Sequence, residues 1–226
     1  MNWQDEGYLL SKRKFRENAN IINVFTNSFG KVSGIVYGGN SRKIRNFLQL
    51  SNKIFIVNNT KNENKIGYLK TEIIEPISPK YFNDKEKTSA LLSLTSILNN
   101  LLPELQPNKK IYKSLNNLIL NFDKKNWIIS YIFWELNLIK ELGYDANLKQ
   151  FNTISSDKLK QYNLEIDGVR YIVPSFLIEN KLIETFSKED IKKGLFFTRL
   201  MFVNKFFLPN KLIFPKSRII LENYFN

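Results

Sequence analysis

The chain has 226 residues, 34 of them Lys or Arg and 21 Asp or Glu, for a formal charge of +13; that length suits one large domain or two modest ones, and 43% apolar residues suffice for a sizeable core. It contains neither cysteine nor histidine, which excludes disulfides, thiolate nucleophiles, Ser-His-Asp chemistry and zinc held by either residue, and leaves any catalysis to carboxylates, lysine, tyrosine or a magnesium ion; no metal or other cofactor is expected. The charge surplus points to a polyanionic partner, either nucleic acid or an anionic membrane surface.

In chain order, Asp5 and Glu6 stand where a signal peptide would carry cations. Residues 7–11, 21–25, 32–37, 53–57 and 66–74 are short runs rich in β-branched and aromatic residues, divided by turn-formers at 27–30, 38–41 and 58–64. Five such strands suit a small closed barrel, an OB-fold first, although the spacing alone also fits an SH3-like barrel. After Pro76 and Pro79 the period changes. Ala90, Leu91, Leu94, Ile97, Leu98, Leu101 and Leu102 recur at threes and fours, predicting a helix over 83–102 that ends before Pro103. A second helix over 110–122 gathers Ile111, Leu115, Leu118, Ile119 and Phe122 on one face. A third, over 126–142, is apolar nearly all round, is stopped by Gly143 and belongs inside a bundle.

Asp167-Gly168 between two β-prone runs predicts a hairpin over 164–173. Ser187 and Asp190 form a capping box for a long helix to about residue 207, and 215–225 suit a last short helix. The most apolar stretches, 127–139 and 194–208, are interrupted by Glu135, Arg199 and Lys205 and fall short of a membrane span, so a cytoplasmic chain with no membrane partner is expected. The predicted class is α+β: a five-stranded OB barrel over 1–78, then an all-helical domain over 79–226 with a hairpin insertion at about 147–186.

Lysine inflation in an AT-rich genome explains part of the net charge, but the distribution needs another cause. Residues 11–45 hold Lys12, Arg13, Lys14, Arg16, Lys31, Arg42, Lys43 and Arg45 against the single Glu17. Four of the chain's seven arginines lie there, although lysine outnumbers arginine 27 to 7 overall. Guanidinium groups grip phosphate with two donors and stack on bases, which makes this cluster a candidate nucleic-acid track. Phe15 lies inside the first basic run and Tyr37 just before Gly38-Gly39, and such aromatics supply base stacking beside charge. The Gly38-Gly39 pair lacks the Lys-Ser/Thr of a phosphate loop, and the paired carboxylates (Asp5-Glu6, Glu165 and Asp167, Glu189-Asp190) read as a strand start, a hairpin turn and a helix cap rather than a nuclease centre. A non-enzymatic nucleic-acid-binding protein leads this reading, on DNA or, as an RNA-binding accessory protein using the same barrel, on RNA; a metal-dependent nuclease is the third alternative.

The opening Asn2-Trp3-Gln4-Asp5-Glu6-Gly7-Tyr8-Leu9-Leu10, then Glu17-Asn18, residues 26–31 and Gly34-Ile35-Val36-Tyr37-Gly38-Gly39-Asn40-Ser41-Arg42, resembles the bacterial RecO family of DNA repair proteins. Phe133 through Glu141-Leu142-Gly143-Tyr144 is similar to that family's helix ending in Glu-Leu-Gly-Phe/Tyr. The resemblance implies an N-terminal OB-fold joined to a helical domain, and a recombination mediator that binds single- and double-stranded DNA, anneals complementary strands, contacts the acidic tail of single-strand-binding protein and, with RecR, helps load RecA. Carried over residue by residue, it puts Arg42, Lys43 and Arg45 first as DNA contacts, supported by Lys31 and a loop carrying Arg13, Lys14, Phe15 and Arg16. Many relatives hold a cysteine zinc module where residues 147–173 here have no cysteine, so the resemblance implies no zinc in this chain.

Overall fold

Strand alternation organises the amino-terminal part of the chain. The computed structural model describes residues 2–38, 41–59, 66–145, 148, 162–166, 168–178 and 186–225. Five strands, β1 (Asn2–Arg16), β2 (Ala19–Thr26), β3 (Gly30–Tyr37), β4 (Lys53–Asn59) and β5 (Gly67–Glu75), close into a barrel of order β1-β2-β3-β5-β4. β1 completes the ring by pairing antiparallel with β4 through Asn2–Tyr8 and with β2 through Gly7–Arg16. A bulge at Leu10, between the pairs Leu9↔Val24 and Ser11↔Asn23, bends the strand so that it serves both neighbours. This is the predicted OB-fold.

The barrel interior follows from the period of two: Leu9, Ile22, Val24, Val32, Val36, Ile54, Ile56 and Leu69 point inward and are buried, with Leu48 closing one end. Gly34 occupies the point where β3 meets β5 in parallel, and a Cβ there would run into the Leu69 side chain. A six-residue helix the sequence does not predict, α1 (Arg42–Phe47), joins β3 to β4. Its Ser41 N-cap accepts from the Ile44 amide at 3.4 Å, and Ile44 and Phe47 pack on the barrel core.

By contacts the chain divides into two units. The first comprises Met1–Tyr112 with Pro215–Leu221, so the barrel's unit continues past residue 78 to include α2 (Ile77–Lys80) and α3 (Lys85–Leu101). Asp84 caps α3 by accepting from the Lys87 amide at 3.0 Å, and the predicted stripe of Ala90, Leu91, Leu94, Ile97 and Leu98 is buried. The Asn99 side chain of α3 meets Asn23 of β2 at 2.7 Å. Tyr112 packs edge-on against Phe25 and tilted against Tyr8; burial raises the pKa of both phenols far above the ordinary tyrosine value.

The second unit comprises Lys113–Phe214 with Glu222–Asn226. Most of α4 (Lys109–Leu120) falls in it, followed by α5 (Trp127–Glu141), which buries Trp127, Ile128, Ile129, Tyr131, Ile132, Trp134, Leu138 and Ile139 but leaves Phe133 and Lys140 exposed on one side. Fully buried Glu135 accepts a 2.5 Å hydrogen bond from Thr198 of α6 (Lys188–Phe202). The Ser187–Asp190 capping box opens α6, and a π-helical turn, Val203–Phe207, extends it. The predicted hairpin forms from β6 (Tyr162–Ile166) and β7 (Val169–Val173), with Gly168 at φ +75° in its two-residue turn. Asp167 and the expected insertion limits near 147 lie outside the described residues. The last helix, α7, is Lys216–Asn223. No helix among the described residues is long and apolar enough to cross a membrane.

Candidate nucleic-acid interface

The basic run does not form a loop. Lys12–Arg16 continue β1 as an exposed strand paired with β2, Arg13 opposite Ile21, Lys14 opposite Asn20 and Arg16 opposite Ala19. The sequence shows no alternation there because both faces of the strand are exposed and polar, so only the pairing with β2 reveals it. In an unbroken strand residues 13 and 16 would face opposite ways. The register slips between Lys14 and Arg16, leaving Phe15 as the extra residue of a bulge, and the slip puts Arg13 and Arg16 on the same face. Arg16 sits 5.2 Å from the centroid of the exposed Phe15 ring, within cation–π range.

That shared face is the outer surface of the barrel. Cross-strand partners point the same way, so one row runs Arg13, Ile21, Ile35, Tyr68 and the next runs Arg16, Ala19, Tyr37. Ala19, Ile21 and Ile35 form a buried floor. Above it stand Tyr37, 52% exposed, and Tyr68, 48% exposed, stacked with centroids 5.2 Å apart and planes inclined at 28°. A hydrogen bond to Tyr68 is the main cause that raises the Tyr37 pKa, and the Arg16 charge opposes it, so the Tyr37 phenol keeps its proton at physiological pH. Two guanidiniums beside two solvent-facing rings can hold phosphate by charge and a base by stacking.

Beyond Ile35 and Tyr68, β3 and β5 part, because only Gly34↔Gly67 and Ile35↔Tyr68 are paired. The gap is a cleft of about 360 Å³ beside the tyrosine pair, reaching Ile44 of α1. Gly38, at φ +68°, turns the chain out of β3, and its amide donates to the Asn18 carbonyl at the β1–β2 turn at 2.8 Å. The Ser41 amide bonds back to Gly38 at 2.8 Å before α1 begins. The backbone leading to Arg42, Lys43 and Arg45 is thus tied to the hairpin tip that carries Arg16. The side chains of Arg42, Lys43 and Arg45 lie outside the described residues, as do Gly39 and Asn40.

Lys31 requires a correction. It is only 8% exposed, and its ammonium donates to the Asn99 carbonyl at 2.9 Å, one of the last carbonyls of α3 that have no helical partner. Desolvation lowers its pKa against the opposing pull of Glu104. It fastens α3 to the barrel and does not face the candidate track. Lys12 likewise bonds the Leu48 carbonyl at 2.7 Å, whereas Lys14 is exposed. Sequence reasoning missed Tyr68 and Lys70 of β5; the signal was there in the alternation Gly67-Tyr68-Leu69-Lys70, whose buried phase is Gly67 and Leu69.

Residues 1–77 match the family model for the amino-terminal domain of recombination protein O, and residues 83–151 match the model for its carboxy-terminal domain. The DNA repair protein RecO of Roseobacter denitrificans is 33% identical over 150 residues, covering 66% of this chain and 62% of the relative. Those of Wolbachia pipientis wMel and Ehrlichia chaffeensis are 30% and 32% identical over 152 residues with the same coverage. The matched part of the chain spans 62% of the length of these relatives.

Proposed function

The chain belongs to the RecO family, and from that premise we propose that it acts in DNA repair as a non-catalytic recombination mediator in the cytoplasm. It binds single- and double-stranded DNA, anneals complementary strands and, with RecR, assists RecA loading on strands covered by single-strand-binding protein, whose acidic tail it contacts. The observation that carries this reading is the convergence of Arg13 and Arg16 with Tyr37 and Tyr68 on one outer face of the barrel, next to the segment bearing Arg42, Lys43 and Arg45.

The physical mechanism needs no covalent step. Two DNA strands repel each other through their phosphates; a basic surface that holds both screens that repulsion and raises their local concentration, so pairing speeds up. Annealing of complementary oligonucleotides tests it. The native chain accelerates pairing, the Arg13→Ala/Arg16→Ala variant does so more weakly, and adding Arg42→Ala, Lys43→Ala and Arg45→Ala removes most of the remainder. Undiminished annealing by the five-fold variant would take these residues out of the mechanism. Capture of single-strand-binding protein with and without its acidic tail tests the partner, with binding expected only when the tail is present.

A further inference from the structure

The cleft between β3 and β5 has a use that charge on the outer face does not explain. Its walls are Val36, Tyr37, Ile44, Tyr68, Leu69 and Thr71, so it is aromatic and aliphatic, and its volume of about 360 Å³ falls in the range of small-ligand pockets. Asn59 and Lys70 also line it and add polar groups. One wall carries an unmet demand. The Thr71 hydroxyl is shut off from solvent and has no hydrogen-bond partner among the described residues. Buried hydroxyls are nearly always paired, and an orphan in the wall of a cleft is a place for a ligand's donor or acceptor.

The occupant follows from what surrounds the opening. Tyr68, a wall of the cleft, ends the cross-strand row that begins at Arg13, and Tyr37 ends the row that begins at Arg16. A polyanion lying along the arginines therefore passes the mouth with its side groups toward the tyrosines. We propose that the cleft receives one unpaired nucleobase of a DNA single strand whose phosphates lie on Arg13 and Arg16, with the base against the Tyr37–Tyr68 pair and its polar edge toward Thr71 and Asn59. This rests on the nucleic-acid reading given above and deepens it. A base in a duplex is paired and stacked and does not enter, so the cleft lets the barrel distinguish single strands from duplex by the base rather than by the phosphates.

The test compares two probes with the same number of phosphates, oligothymidylate and an all-abasic strand of equal length, titrated against the full chain over a range of salt. The native chain holds oligothymidylate about tenfold more tightly than the abasic strand, the effect of one stacked base, with the same salt slope for both. Asn59→Trp, which fills the cleft from its rim, abolishes that difference and leaves abasic binding unchanged. Thr71→Val, which keeps the shape and removes the hydroxyl, narrows the difference and guards against a folding defect in the first variant. Equal, salt-sensitive affinity of the native chain for both probes overturns the base slot while the polyanion reading stands. A tenfold preference that survives in both variants also overturns it, by placing the base elsewhere. Failure to bind either probe removes both readings together.

Discussion

Replacing Arg13 and Arg16 together with alanine removes two exposed guanidiniums that the Phe15 bulge places on one face, without touching the barrel core. If each meets one phosphate of a single strand, each contributes about −0.7 to the slope of log affinity against log salt, so the double variant should bind with a slope shallower by about 1.4. The same relation gives the size of the effect. At 0.1 M salt two lost contacts weaken binding by roughly 25-fold, and the two titration curves draw together as salt approaches 1 M. Tyr68→Ala serves as the contrasting control: losing a stacking surface lowers affinity by a salt-independent factor, ~1 to 3 kcal/mol per base. Fluorescence anisotropy of a labelled oligonucleotide at five or so salt concentrations reads both quantities. An unchanged slope in the arginine variant, or a loss of equal size at every salt concentration, would refute the assignment of these arginines to phosphates.

Lys31→Met should destabilise the chain by about 2 kcal/mol, because the Asn99 carbonyl loses a charge-assisted partner, while affinity for DNA stays unchanged; urea unfolding and oligonucleotide titration on one preparation check both halves. Gly34→Ala should cost roughly 1 to 3 kcal/mol by driving a methyl into Leu69, and Leu69→Ala in the same chain should recover part of that loss; additive losses in the double variant would contradict the steric cause. Tyr8 and Tyr112 have raised pKa values in the fold, so above the ordinary tyrosine value near 10 the unfolded chain releases protons that the folded chain keeps. Stability is therefore full below about pH 10 and falls as pH rises beyond it, by about 1.4 kcal/mol per pH unit for each tyrosine. Tyr112→Phe should remove one such contribution, and an unaltered alkaline slope would show that this phenol ionises in the fold.

The barrel was readable because β4 buries one phase of an alternating pattern while β2 and β3, buried on both phases, are short runs rich in β-branched and aromatic residues, and the helices because their stripes are long enough to show a period. Three features were not. α1 is a single turn and a half, too short for a period, and its charged residues drew attention to chemistry rather than shape. The outer end of β1 has no buried phase, and the bulge that aims its arginines is a matter of register with β2, which no local pattern encodes. The role of Lys31 depends on a carbonyl 68 residues further along the chain. Charge alone places a lysine at the surface; only the meeting of β3 with the end of α3 reveals the acceptor that draws it inside. For the candidate site, composition found the arginines and two aromatics, and topology added Tyr68, the cleft and the face they share.

The clasp of α3 on the barrel bears on how this module is inherited. The two family matches meet between residues 77 and 83, ahead of α3. A gene fusion or truncation that cut there would strand the Lys31 ammonium and the Asn23 amide, both of which find their acceptors on Asn99. A graft into another protein that carried the five strands alone would lose both of these bonds and trade them for water, whereas one that carried barrel plus helix would keep them.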